Sequence, residues 1–343
     1  MGDVIVRNIN SIKPFIPRNN TKISDSIIES LQLDNLRESE KGHLLQHITQ
    51  VDLYLDTIFN HLSNNEKKQI SIYGNNLELN TSKILYLLEK LLKIKEIFLF
   101  SNDLLLYPKV INEIKAMYKI YEINEECVYF IHLNYTQILT NNTLDKIKSE
   151  SIIDINSDNC IFKITINVPL INEQFEIVFD FFIQLSIPVI YIFIVEQEKD
   201  IELFDMLISE YNLENYEIKP VYTGINLTLF KDNVFVNEKD IMSSQVSAKE
   251  ISIRKEINPN FFGKIAILPN GKISFDLQKS NYTEIFDNSL YKQIYNEITE
   301  GEGLWKLTRD KVEPCKTCMY KFLCPPISEY ELKLKSFNLC TYN

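Results

Sequence analysis

With 343 residues, 45% of them apolar and 24% charged, the chain can bury one large or two medium cores and is too apolar for a disordered polymer. A net charge of −11 and a pI of about 5.1 exclude ordinary nucleic-acid binding, which needs clustered Lys and Arg; the only basic runs, 83–95 and 306–316, are interrupted. Only eight glycines are present, which argues against a glycine-rich nucleotide loop.

Residues 1–65 read as a helical lead-in. Ser24 caps a short amphipathic pattern, and His43 to His61 places Leu44, Leu45, Ile48, Val51, Leu53, Leu55, Ile58 and Phe59 near helical spacing. His43 and His47 are four apart, as metal ligands on a helix can be, but no carboxylate completes the motif. A strand–helix rhythm then occupies 66–236. Strands are expected at Ile70–Tyr73, Ile97–Phe100, Cys127–Leu133, Phe162–Val168, Pro188–Val195 and Tyr216–Tyr222. Helices are expected from Thr81, Tyr107, Leu144, Glu173 and Lys199. Continuous apolar strands alternating with helices imply a parallel sheet covered by helices, either an open partial β/α barrel or a doubly wound sheet. Lys231-Asp-Asn reads as a hairpin turn, 237–252 as a linker, Phe262–Leu277 as a β-hairpin turning at Pro269-Asn-Gly271, and Ser289–Thr299 as a helix.

The final stretch carries the chemistry. Cys315, Cys318, Cys324 and Cys340 form a C-x2-C-x5-C-x15-C pattern and account for four of six cysteines. A C-x2-C pair puts two thiolates on one metal, and two more complete a tetrahedral or cuboidal site, so both zinc and an iron–sulfur cluster suit the pattern. Ligand-type spacing without a paired disulfide framework suits a reducing compartment. No signal-peptide pattern is visible, and the longest apolar run, 187–195, is strand-length. A cytoplasmic protein without a membrane partner is therefore expected.

The cysteines and their surroundings resemble the C-terminal part of a SPASM domain, the auxiliary-cluster module of radical SAM peptide-modifying enzymes. The resemblance is specific over roughly 253–340, where Ile253-Arg-Lys-Glu-Ile-Asn-Pro-Asn-Phe-Phe-Gly263, Leu304-Trp-Lys-Leu-Thr-Arg-Asp310, Glu313-Pro-Cys315 and Leu323-Cys-Pro-Pro-Ile-Ser328 are similar to the pseudo-radical-SAM proteins of Bacteroidetes peptide-maturation systems. It implies a radical-SAM-like partial barrel over 66–236 and a SPASM-like domain over 237–343 with hairpin, helix and cysteine-ligated cluster. One 4Fe–4S cluster on Cys315, Cys318, Cys324 and Cys340 is implied. A second cluster is implied lost, because Asp276 and Ser328 stand at positions where the module carries cysteines.

A radical SAM enzyme also needs a C-x3-C-x2-C triad after its first barrel strand. The expected loop, Gly74–Thr81, holds no cysteine, so no S-adenosylmethionine is expected. Cys127 reads as a buried hydrophobe, Cys160 as a loop thiol, His132 as a core histidine, and Trp305, Tyr320 and Phe322 as ordinary packing rather than a collar for a cluster. No nucleophile elbow, Walker loop or dinucleotide fingerprint is present. What the resemblance implies is a non-catalytic partner binding a radical SAM maturase, its precursor peptide, or both, with the cluster serving structure or electron relay. Two alternatives stay open: a zinc-stabilised interaction module, and an independent enzyme using carboxylates such as Asp276.

Overall fold

The computed structural model describes residues 45–56, 64–68, 78–91, 93–101, 107–120, 127–140, 144–145, 147, 160–168, 170, 172–277, 293–294, 297 and 303–341. The expected helix from Ser24, the strand Ile70–Tyr73, His43 and most of the helix Ser289–Thr299 lie outside them. Within the described residues there are two compact units, one over 48–221 and 264–277, the other over 45–47, 222–263 and 303–341.

The first unit is built on eight strands: β1 (Gln50–Tyr54), β2 (Glu96–Phe100), β3 (Val128–Asn134), β4 (Cys160–Ile166), β5 (Val189–Val195), β6 (Tyr216–Pro220), β7 (Lys264–Ile267) and β8 (Ile273–Ser274). Their order is β6-β5-β4-β3-β2-β1-β7-β8. All pairs are parallel except β7 with β8. Strands β1 to β6 follow one another in space as in sequence. A doubly wound sheet reverses its strand order partway, so this order selects the partial barrel. The described helices of the unit are α1 (Asn64–Lys67), α2 (Thr81–Lys90), α3 (Pro108–Ile120), α4 (Tyr135–Thr140), α5 (Asn172–Gln184) and α6 (Glu198–Glu210).

Alternation within each strand assigns the two faces. Phe162, Tyr191 and Phe193 point to the helices. Phe162 meets Phe182 of α5 at 5.4 Å between ring centroids, and Phe193 meets Phe204 of α6 at 4.7 Å. The opposite face carries Asp52, Phe98, Phe100, Phe130, His132, Lys163, Glu217 and Lys219. The Lys163 ammonium lies 5.3 and 5.1 Å from the rings of Phe98 and Phe130 and 3.3 Å from Glu217. Strands lie about 4.8 Å apart, so β2 and β6 would stand roughly 19 Å apart on a flat sheet. One ammonium meeting groups rooted on both requires a concave face, which is the lumen of an open barrel. Asp52 sits on that face and accepts a 3.0 Å bond from Gln50 Nε2.

Burial raises the carboxyl pKa of Asp52 against the pull of Gln50 and Lys264. A raised folded pKa favours the neutral acid. The stability it contributes is complete below the unfolded value of about 3.9 and is lost as pH rises through the folded value. Asp52→Asn keeps an acceptor for Gln50 and removes the charge. Its melting temperature should exceed wild type at neutral pH, and the gap should close on acidification; a gap that widens toward low pH would contradict the assignment.

Four expectations are corrected. Gln50–Tyr54, read as part of a helix, is an interior strand of the sheet, paired with both β2 and β7. The Lys231 hairpin is instead helix α7 (Leu227–Asn233), and the stretch read as a linker holds α8 (Glu238–Ser243) and the start of α9 (Ala248–Glu256). Cys160 opens β4 and is buried, where a loop was expected. The hairpin at Pro269-Asn-Gly271 is present as β7–β8, and Gly271 is required there: its φ is +78° and a Cβ would meet Lys83 Cβ at 2.6 Å. No helix among the described residues is long and apolar enough to cross a membrane.

Candidate metal centre

The second unit assembles its cysteines from short turns. A 3-10 turn, Cys315–Thr317, closes with the Cys318 amide donating to the Cys315 carbonyl at 3.0 Å, which keeps the C-x2-C pair on one bend. Tyr320 O then accepts from the amides of Leu323 and Cys324, both at 2.8 Å, and folds the chain back. Cys340 arrives from the far end. It forms a parallel bridge with Val236, fixed by Val236 N donating to Leu339 O at 2.9 Å and Thr341 N donating to Val236 O at 3.0 Å.

Beneath these turns Phe230, Val234, Val236, Ile241, Tyr320, Tyr330 and Leu339 form an apolar cluster, and Cys318 and Cys324 pack against it. Helix α10 (Glu329–Leu334) contributes Tyr330, whose ring meets Phe230 edge-on at 5.4 Å. Burying a cluster of this kind removes aromatic and aliphatic surface from water and gives the loop a floor.

Cys315, Cys318 and Cys340 all stand near enough to Cys324 to act on its charge. Burial pushes the Cys324 thiol up to about 12; the Arg309 guanidinium pulls it down, and Cys318, Cys315 and Cys340 each push it further up. Burial also raises Cys315, with Arg309 opposing. Four thiols are a donor set that suits a multivalent cation, because a bound metal holds its thiolates deprotonated. Among the described residues no three His, Cys, Asp or Glu side chains converge closely enough, as they stand, to hold a metal ion.

Two arginines brace the site, and sequence reasoning missed both roles. Arg309 is buried, and its two Nη1 hydrogens are shared among Glu331 Oε1 at 2.9 Å, Phe337 O at 3.0 Å and Cys315 Sγ at 3.4 Å, the last of which also donates to Phe337 O at 3.0 Å; Nη2 donates to Glu331 Oε2 at 3.2 Å and Nε to Pro325 O. Burial works against the guanidinium charge, but Glu331 and the nearby sulfurs outweigh it and hold the group protonated. Arg254 of α9 donates to the carbonyls of Leu323 and Cys324 at 2.9 and 3.0 Å. The available signal was compositional: this lysine-rich chain has only five arginines, and two of them stand here.

The other candidate residues take structural places. Ser328, at a position where the SPASM resemblance puts a cysteine, caps α10: its hydroxyl accepts from Glu331 N, and its amide donates to Glu331 Oε2 at 2.9 Å. Asp276 follows β8, its amide donating to Ser274 Oγ at 3.2 Å. Trp305 is fully buried against Phe262 at 5.1 Å, Tyr320 lies in the apolar cluster, and Lys255 and Lys321 hold their ammonium groups over the Phe322 ring. Cys127 is buried, with its thiol raised by that burial to about 12. His132 meets the ring of Phe100 at a tilt, 4.2 Å between centroids, and His47 lies buried near Phe262.

Because β1 is Gln50–Tyr54, the loop after the first strand begins at Leu55, not at Gly74 as expected. There Asp56 accepts from Ser101 Oγ at 2.7 Å at the mouth of β1 and β2. The sequence from Leu55 to Lys95 contains no cysteine.

No protein-family model and no curated protein matches the sequence. Among solved structures, the chain is similar to Streptococcus suis SuiB in its crystal structure bound to the precursor peptide SuiA. The identity is 12% and the TM-score 0.53, over 95% of this chain and 82% of that one. At that identity the likeness gives the fold, a partial β/α barrel of the kind radical SAM enzymes use.

Proposed function

We propose that this chain is a non-catalytic partner of a radical SAM peptide maturase, acting on or alongside a ribosomally made precursor peptide in the cytoplasm. In this reading Cys315, Cys318, Cys324 and Cys340 hold one 4Fe–4S cluster in a SPASM-like domain over 237–343, and no S-adenosylmethionine is bound. The observation that carries it is the pairing of a radical-SAM-like barrel without a cysteine after β1 with four cysteines in the second unit, two of them, Cys318 and Cys324, on its apolar floor. SuiB, seen with its precursor peptide, supports the peptide side of the reading.

A 4Fe–4S cluster supplies one-electron chemistry and a rigid cross-link between the chain segments that ligate it. Four cysteine ligands leave no open iron, so the cluster would serve structure or relay. The chain's own residues set the rest: the apolar floor covers one side of the half-buried Cys318 and Cys324, Arg254 fixes the Cys324 turn, and the Val236 bridge fixes Cys340. The lumen face of the barrel, where Lys163 stands between Phe98, Phe130 and Glu217, is spanned by this chain's own side chains.

Anaerobic purification should give about four iron and four sulfide per chain. The loaded protein, given S-adenosylmethionine and a reductant, should leave a precursor peptide unmodified while changing the rate or products of a companion maturase. Stoichiometric zinc without sulfide would replace the cluster by a structural zinc site. Turnover of the peptide by this chain alone would overturn the accessory role.

A further inference from the structure

We propose that Arg309 is the positioning residue of the four-cysteine site and sets the reduction potential of its cluster through Cys315. The inference rests on the cluster reading above. The guanidinium is only 7% exposed and Glu331 is fully buried, so the pair is shielded from the solvent screening that makes most surface ion pairs weak.

The geometry has two parts. First, the anchors of Arg309 lie in the segments that carry the ligands. Pro325 follows Cys324, Phe337 stands three residues before Cys340, and Cys315 is touched directly. A single planar fork thus sets the spacing of three of the four ligand segments, which the flexible point charge of lysine would not do. Second, Glu331 takes the fork two-pronged and fixes its direction. The pair is close to neutral overall, yet it is oriented, with its positive end on the Cys315 sulfur and its negative end toward Ser328.

An electron entering a cluster raises the negative charge on its sulfur ligands. A fixed N–H donor on one of them stabilises the reduced form and raises the potential. The double variant Arg309→Met/Glu331→Gln removes donor and counter-charge together, and the introduced glutamine still offers an acceptor to the Ser328 amide. With iron and sulfide content unchanged, the reduction equilibrium should move about tenfold toward the oxidised form, a potential lower by about 59 mV for one electron. An unchanged potential at full iron content would make Arg309 a structural brace only and overturn the proposal.

If the double variant does not load iron, the wild-type protein decides. With 15N-labelled arginine, the reduced cluster should show magnetic coupling to a guanidinium nitrogen, retained in Arg254→Lys; absence of that coupling overturns the proposal equally. A wild-type protein without iron and sulfide fails the cluster reading itself and this inference with it, a result that metal analysis separates from the two outcomes above.

Discussion

Cys324→Ser should strip the metal from the protein and unfold the unit that carries it. Cys324 packs on the apolar floor with Cys318, its carbonyl is held by Arg254, and Cys315, Cys318 and Cys340 stand near enough to raise its thiol. Serine offers a hard, shorter donor and leaves a polar hydroxyl against the apolar floor. The scale of the loss follows from linkage. Structural zinc sites supply roughly 10–16 kcal/mol of apparent binding energy, all of it folding energy when the site is absent from the unfolded chain. Whole domains are stable by only about 5–15 kcal/mol, so even part of that loss is decisive. The unit also depends on short 3-10 turns and on helices of six to nine residues, α7 to α10, which are too short to persist alone. Metal analysis and limited proteolysis read the outcome: loss of metal, and rapid cleavage between about Tyr222 and Gly263 and after Gly303. Cys127→Ser is the control, because Cys127 is buried beside β3 in the other unit and should leave metal content intact. Full metal retention in Cys324→Ser would dissolve the quartet.

The sheet was legible where strands are separated by long amphipathic helices, as for β2 to β6. It was not legible at β1. A strand buried on both faces has no period of two, and here Val51, Leu53, Tyr54 and Leu55 are all buried. With Leu45 and Ile48 before them and Ile58 and Phe59 after, the run fits helical spacing by accident. The error moved the first loop from Leu55 to Gly74, yet the absence of cysteine held at both places. Helices α8 and α9 carried local signals that were passed over: Asn237 with Asp240, and Ser247 with Glu250, are both capping boxes. α9 buries only Ile253 of its own residues, so there was no apolar stripe to find. The cysteine pattern named the four sulfurs of the candidate site, but spacing says nothing of what surrounds a sulfur. Arg309 and Glu331 lie 22 residues apart and are joined only when α10 docks. Ser328 shows the same limit from the other side, since its capping role with Glu331 becomes visible only once α10 is seen to start there.

Glu331→Leu should destabilise the protein by roughly 3–5 kcal/mol, the usual cost of leaving a buried charge without its partner. The two Glu331 oxygens accept from Arg309 Nη1 at 2.9 Å, Arg309 Nη2 at 3.2 Å, the Ser328 amide at 2.9 Å and the Ser328 hydroxyl at 3.3 Å. Leucine removes all four bonds while keeping the helix propensity of α10, so the effect is not one of propensity. The guanidinium keeps its bonds to the carbonyls of Pro325 and Phe337 but loses its counter-charge. Loss of the capping box adds about 1 kcal/mol. Glu331→Gln should fall between Leu and wild type, because an amide oxygen still serves Ser328 while the charge is gone. A neighbouring change calibrates the scale: Glu329 pairs with Lys333 at 3.3 Å but is half exposed, so Glu329→Gln should cost under about 1 kcal/mol. Denaturant unfolding of the metal-loaded protein measures all three variants under one condition. Glu331→Leu lying within about 1 kcal/mol of Glu329→Gln would mean that the buried pair does not brace the cysteine unit, and that its orientation of Arg309 toward Cys315 is a consequence of packing rather than its cause.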